Sequence, residues 1–187
     1  MTLNAEEVVG TTLSANLPIY RLELTFKSAM VSVLKDQDAV VSLVSRYAVH
    51  QQPLTTDVAI EAGVSRFIPS AFGIDSRTVE EGKLSCQIER RIKTQNYLSK
   101  KADHYSNFSW TRLGIGLLFD YATNFGLAAK ASVAILQRPN ETSNQYLSIA
   151  SFNTTQKETL RILESRTGGS KWTVKHISSV DLEHEGD

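Results

Sequence analysis

Tyr97-Leu-Ser-Lys-Lys101 sets a phenol and an ammonium four residues apart, one turn along a helix. At that spacing a lysine can lower a tyrosine pKa far enough for the phenol to transfer a proton. The plainer reading packs Tyr97 beside Leu98 on the inner face of the helix. A second stretch, Arg66-Phe-Ile-Pro-Ser-Ala-Phe-Gly73, halts an apolar run at a proline and a small-residue turn. The basic run Arg90-Arg91-Ile-Lys93 reads as one solvated helix face. His50, His104, His176 and His184 have no metal-ligand spacing, and none adjoins a Ser or Cys in a triad-like setting. Cys86 is the only cysteine, so neither an internal disulfide nor a structural zinc site is expected, and no metal is assigned. Asp75 and Asp120 read as turn caps; Gln51 and Gln52 either cap the helix that follows them or face a phosphate, capping being the plainer reading.

These residues need elements to hold them. Ile19 to Leu24 alternates apolar and polar residues like a half-buried strand, and Phe26 to Lys35 follows at helical spacing. Asp38 to Ser45 is a β-branched, nearly unbroken apolar run, the pattern of a parallel strand covered on both faces. Gln51 to Ala62 predicts a helix stopped at Gly63, and Arg66 to Pro69 another short buried strand. Gln87 to Ala102 predicts a second amphipathic helix, Phe108 to Leu113 a strand, and Leu127 to Leu136 a helix ending before Pro139. Gln145 to Ile149 reads as a strand. Thr155 and Glu158 have capping-box spacing, opening a helix that ends at Gly168. Lys171 to Ile177 alternates as a last strand, and Ser179 to Glu183 begins a helix. Trp110 and Trp172, both in alternating segments, are expected in the core.

Alternating strands and helices predict an α/β fold with a mainly parallel sheet and flanking helices. Ligands of such sheets bind outside the carboxyl ends of the strands. That rule gives Ser42 to Arg46, Pro69 to Gly73 and Gly114 to Phe119 one address. At 187 residues the chain has the length of one ordinary domain. Its zero formal net charge supplies no field for nucleic acid, and no apolar run approaches membrane-spanning length. The N-terminal residues do not read as a signal peptide, and a soluble, cytoplasmic protein is expected.

The combination of Asp36-Gln-Asp-Ala-Val-Val-Ser42, Gln52-Pro-Leu54 and Ala62 to Asp75 resembles the NmrA-like, isoflavone-reductase-type family, in wording close to its fungal branch. Trp110-Thr111, Gly116 to Asp120, Asn144-Gln-Tyr146 and Ala150-Ser-Phe152 continue the resemblance, which runs from about Tyr20 to the C-terminus; residues 1–18 diverge. It implies an atypical short-chain dehydrogenase/reductase scaffold: one incomplete Rossmann-like NAD(P)-binding domain over 1–187 with a reduced substrate-capping region. It implies NADPH as cofactor and a small-molecule substrate, in a secondary-metabolism setting. Ser42 and Ser45 then border the ribose side of a bound dinucleotide, and Pro69, Ser70 and Phe72 wall the nicotinamide. The family's catalytic lysine slot falls on Arg91, with Lys93 two residues on.

The sequence departs from that family in definite places. No glycine-rich GxxGxxG turn occurs in it, Ala71 stands where relatives keep a glutamate, and Ala122 to Leu127 bridges a region where relatives carry a longer excursion. Arginine keeps its proton at physiological pH, so Arg91 can steady an anion but cannot act as a general base. Lys93 is turned roughly 200° around the helix from that slot. A truncated gene product is one expectation from these departures. Two functions follow: an NAD(P)H-dependent oxidoreductase, or a non-catalytic dinucleotide-sensing relative or inactive remnant.

Overall fold

The computed structural model describes residues 18–24, 26–45, 47–73, 77, 86–116, 121–150 and 154–177. The chain divides at Ala150/Ser151 into two compact units. The expectations placed on Glu7 to Leu13 as a further strand, on Arg46, Asp75 and Asp120, on Leu117 to Phe119 and on Ser179 to Glu183 lie outside the described residues.

The first unit runs α1 (Lys27–Leu34), β1 (Ala39–Val41), a short 3-10 turn (Val49–Gln51), α2 (Gln52–Glu61), β2 (Arg66–Ile68), α3 (Cys86–His104), β3 (Ser109–Gly114), α4 (Tyr121–Gln137) and β4 (Gln145–Ser148). The four strands form one sheet in the order β1-β2-β3-β4. Every pairing is parallel, with Val40 opposite Phe67, Phe67 opposite Trp110, and Leu113 opposite Leu147. The α/β reading of the sequence holds, and β2 is the short buried strand expected. β1 is corrected, since among the described residues it is a half-buried edge strand of three residues and not a strand covered on both faces over Asp38 to Ser45.

Successive strand residues point to opposite faces, so one strand feeds two cores. Phe67 packs with Ala59, Val64, Leu98, Phe108 and Trp110 on the face covered by α2 and α3. Ile68 packs with Leu113 and Ile135 on the face covered by α4, joined by Val41, Phe72, Ile115 and Leu147. Full burial of Phe67 contributes about 2–3 kcal/mol by transfer from water. Gly63 ends the α2 turn at φ +87°, a conformation that a side chain would strain.

Three expectations are corrected. Ile19 to Leu24 forms no strand, and Ile19, Tyr20 and Leu22 lie exposed. Alternation alone does not hold a strand without a paired neighbour, and among the described residues the sheet begins at β1. Ala122 to Leu127, expected to precede a helix beginning at Leu127, forms the first turns of α4, which starts at Tyr121. Lys171 to Ile177 is not a strand, and Trp172 is exposed rather than core, whereas Trp110 is buried as expected.

In the second unit the cause of that last difference is visible. Helix α5 (Gln156–Arg166) starts with the expected capping box, Glu158 N–H donating to Thr155 Oγ1 at 3.2 Å and Thr155 N–H to Glu158 Oε2 at 2.8 Å. The chain then turns at Gly168 and Gly169, φ +91° and +78°. Buried Glu164 accepts from Lys171 Nζ at 2.7 Å and from the Trp172 N–H at 2.9 Å. The Trp172 N–H is therefore spent on a carboxylate at the helix end and not on a sheet.

Candidate functional site

The carboxyl ends of β1, β2 and β3 build the candidate site. The Ser42 N–H donates to Ile68 O at 2.8 Å, extending the β1–β2 ladder one residue beyond the strands. The chain then leaves β2 through Pro69, which is fully buried, and Ala71, also buried. Ala71 N–H donates back to Pro69 O at 2.8 Å, closing a three-residue turn that bends the strand away from the sheet.

Two side chains fix that exit. Ser70 Oγ donates to Val44 O at 2.9 Å, tying the β2 exit to the β1 exit. The Ser70 N–H donates to Oε1 of Gln52 at 2.6 Å, and Gln52 is completely buried at the start of α2. Gln52 is therefore not the helix cap expected of it: α2 has no side-chain cap, and the amide is committed to the loop across from it. Nothing in the local sequence marks this role, because the bond joins residues 18 positions apart.

Beyond Ser70, Phe72 lies half-buried against the Ile68–Leu113–Ile135 cluster. Gly73 follows, and a methyl built on it would lie 2.7 Å from Arg91 Nη1. The guanidinium thus rests on the bare face of that glycine, bringing α3 to the β2 exit. Gly73 O accepts from the Gly116 N–H at 3.2 Å, joining the exits of β2 and β3. A methyl at Gly114 would meet the Tyr146 ring and hydroxyl at 3.3 Å and Gly73 O at 3.4 Å. Two guanidinium groups lie over the Tyr146 ring, with Arg77 Cζ 4.1 Å and Arg112 Cζ 4.6 Å from its centroid. An aromatic in an alternating strand was the only sequence signal for this stack.

Of the residues singled out in the sequence, Ser42, Pro69, Ser70, Phe72 and Arg91 come together at this edge. Ser45 stays exposed, its carbonyl accepting from the Ala48 N–H at 2.9 Å. Lys93 is exposed on α3, whereas the Arg91 guanidinium lies against the β2 exit.

The Tyr97–Lys101 pair lies elsewhere, between α2 and α3. The Tyr97 hydroxyl donates to both carboxylate oxygens of Asp57, at 2.7 and 2.8 Å, and Lys101 Nζ lies 2.7 Å from Asp57 Oδ1. Burial and then the carboxylate push the Tyr97 pKa up, opposite to the shift that a proton-transfer phenol needs. The same carboxylate pushes Lys101 up to about 12. This triad clasps two helices; it is not an acid–base device.

A dinucleotide is the group that the family resemblance implies. The strand-end layer fits its neutral parts: Ser42 Oγ and Gln52 Nε2 are buried with no hydrogen-bonding partner among the described residues. The bare faces of Gly73 and Gly114 are already covered, by the Arg91 guanidinium and by the Tyr146 ring. Among the described residues, no group of three or more His, Cys, Asp or Glu side chains is placed to hold a metal ion. No helix among them is long and apolar enough to cross a membrane.

No family model matches the chain. It is 30% identical over 190 residues to the oxidoreductase aprR of Aspergillus flavus, an alignment covering 83% of this chain and 62% of that protein. It is 28% identical over 208 residues to the oxidoreductase poxI of Penicillium oxalicum, covering 95% of this chain and 65% of the relative. The chain therefore spans slightly under two thirds of the length of these curated relatives. Among solved structures, AtPrR2 with NADP+ and (+)pinoresinol superposes with a TM-score of 0.67 at 21% identity, covering 85% of this chain and 61% of that one. The leucoanthocyanidin reductase–NADPH complex of Vitis vinifera gives 0.65 at 18% identity, covering 86% and 61%. An isoflavone reductase gives 0.65 at 15% identity, covering 87% and 62%. The chain thus shares the fold of these reductases and is distantly similar in sequence to fungal oxidoreductases, in keeping with the resemblance to the NmrA-like, isoflavone-reductase type.

Proposed function

We propose that this chain acts as an NAD(P)H-dependent oxidoreductase of the NmrA-like, isoflavone-reductase type, reducing a small metabolite with NADPH. The observation that carries the reading is the β2 exit. There a parallel strand ends in Pro69–Gly73 and an arginine rests on the terminal glycine, at the sheet edge where such folds hold ligands. Similarity to two fungal oxidoreductases supports it, as does the presence of NADP+ or NADPH in the named structural neighbours. A role in secondary metabolism accords with the type of enzyme.

A reduced nicotinamide held at this edge would supply the hydride. Phe72, packed on the α4-side core, gives the nicotinamide a fixed apolar wall. Ser70 has its N–H and its hydroxyl proton engaged within the protein, so it could meet a ligand only as an acceptor through Oγ. Arg91 steadies negative charge developing on the substrate oxygen as a permanent cation. Lys93, the other candidate, faces solvent and has no part in this scheme.

One observation favours a second reading, a dinucleotide-binding regulator without turnover. The residue at the β2 exit is an arginine, which cannot deliver a proton, and the Tyr97 phenol is locked into the helix clasp. NADPH oxidation followed by its absorbance separates the two, against a panel of small aryl ketones and enones. The enzyme reading expects turnover with a member of the panel, reduced about 100-fold or more in Arg91→Met. Binding of NADPH with no turnover by any member, and no effect of Arg91→Met, assigns the chain to the second reading.

A further inference from the structure

Among the described residues the sheet ends at β1, with one side of that strand open. The Arg66 N–H donates to Asp38 O at 3.2 Å and the Ser42 N–H to Ile68 O at 2.8 Å, so the even-numbered positions here bond to β2. Alternate residues of a strand turn their backbone groups to opposite sides. Ala39 and Val41 therefore face theirs outward, and Leu43 is next in that series. None of these three N–H groups meets a backbone partner among the described residues. A row of open backbone groups is a template for another strand, and soluble proteins blunt such edges with charge, proline or a bulge. Residues 39–44, Ala-Val-Val-Ser-Leu-Val, carry no charge, proline or glycine.

The edge is apolar as well as open. Val41 packs on the α4-side cluster, so alternation sets Ala39 and Leu43 on that same face. Leu43 is 76% exposed, a large apolar side chain left in water. The outward set is symmetric about Val41, with Ala39 and Leu43 flanking it at equal spacing. A two-fold axis through Val41 runs two such edges antiparallel, pairing Val41 with its counterpart and Ala39 with Leu43 of the second copy. Each exposed leucine then covers the other copy's alanine, a large residue on a small one. Charge agrees with this register. Exposed Asp36 comes opposite position 46 of the second copy, an arginine, and Asp38 opposite Val44, so no acid meets an acid.

We propose that β1 is an interaction edge that pairs two-fold with β1 of a second copy of this chain, joining two four-stranded sheets into one. An edge that pairs with itself closes after two copies, whereas joining β1 to β4 of the next copy would continue into a polymer.

The test is light scattering on the full chain as it elutes, from about 1 to 100 µM, with Leu43→Lys and Val41→Pro beside the parent. Leu43→Lys sets a charge on an exposed position, and the proline removes only an outward N–H. The parent is expected to reach twice its 20.7 kDa mass, and both variants to self-associate at least about tenfold more weakly. Hydrogen exchange adds a readout independent of mass. The Val41 amide is expected to be protected in the parent dimer and open in Leu43→Lys, while a protected Val40 amide in both reports that the variant folds. A parent that is monomeric throughout overturns the proposal, as does a dimer untouched by either variant. Species larger than a dimer assign the edge to β1–β4 joining and overturn it too. A protected Val41 amide in a monomer assigns the edge to the chain's own remaining residues and likewise overturns it.

Discussion

Arg66→Met is the perturbation whose cost follows most directly from the packing. Arg66 is almost fully buried in β2, paired in register with Ala39 on one side and Ser109 on the other. Its Nη1 donates to Thr111 Oγ1 at 3.0 Å and its Nη2 to the carbonyl of Pro139. Thr111 Oγ1 in turn donates to Thr142 O at 2.6 Å, so one guanidinium couples β2, β3 and the turn before β4. Methionine keeps the stem in its packing but withdraws both donors. Hydrogen bonds to a charged group contribute about 1.5–3 kcal/mol each. Removing the charge recovers part of that, since burial already penalises it and pushes the Arg66 pKa down. Pro139 is exposed, so its carbonyl can turn to water, while fully buried Thr111 cannot. The net loss is about 2 kcal/mol, a fall in Tm of roughly 4–8 °C for a domain of this size. Urea unfolding of the parent, Arg66→Met, Thr111→Val and the double variant measures it. The coupling between the two positions is expected at about 1–2 kcal/mol. A variant as stable as the parent, or a coupling of zero, refutes the view that this arginine ties the strands together.

Two further predictions concern pH. The Glu164 carboxyl is held below its ordinary value of 4.5, first by Lys171 and then by the Trp172 N–H. The clasp at the end of α5 is therefore fully present above that value and is lost as pH falls through the depressed pKa; Trp172 ring resonances followed by NMR should change only below 4.5, and a midpoint at or above it contradicts the contact. Lys101 is raised by Asp57, so its contribution is complete below 10.5 and disappears as pH rises through about 12. NMR titration of Lys101 should give that high midpoint in the parent and a lower one in Asp57→Asn, with a stability loss of at most about 1 kcal/mol for this partly exposed pair. An ordinary lysine midpoint in the parent contradicts the clasp.

What could be read from the sequence was local. The capping box of α5 joins residues three apart, and β2 is the short buried strand its residues announced. The stop at Gly63 was equally local, since the residue type answers the backbone conformation. Readings failed where the deciding partner was remote. Tyr97–Lys101 has the spacing of an acid–base pair, yet Asp57, 40 positions from Tyr97, turns it into a helix clasp. Ile19 to Leu24 and Lys171 to Ile177 alternate like strands, but pairing belongs to the sheet and not to the segment. Gln52 looked like a cap because a polar residue at a helix start usually is one, and only the fold sets it against Ser70. Family resemblance alone marked Arg91, and the geometry singles it out from Lys93 because Arg91 lies against Gly73.

The dinucleotide is the point on which the functional reading turns. Purified protein is titrated with NADPH and, separately, NADH while its melting temperature is followed. A ligand at a hundredfold over its Kd stabilises by about 2.7 kcal/mol, which raises Tm by roughly 5–10 °C for a protein of this size. A saturable rise of that size with NADPH is the expected result. No rise with either dinucleotide at millimolar concentration contradicts the assignment of the Pro69–Gly73 edge as a nicotinamide wall.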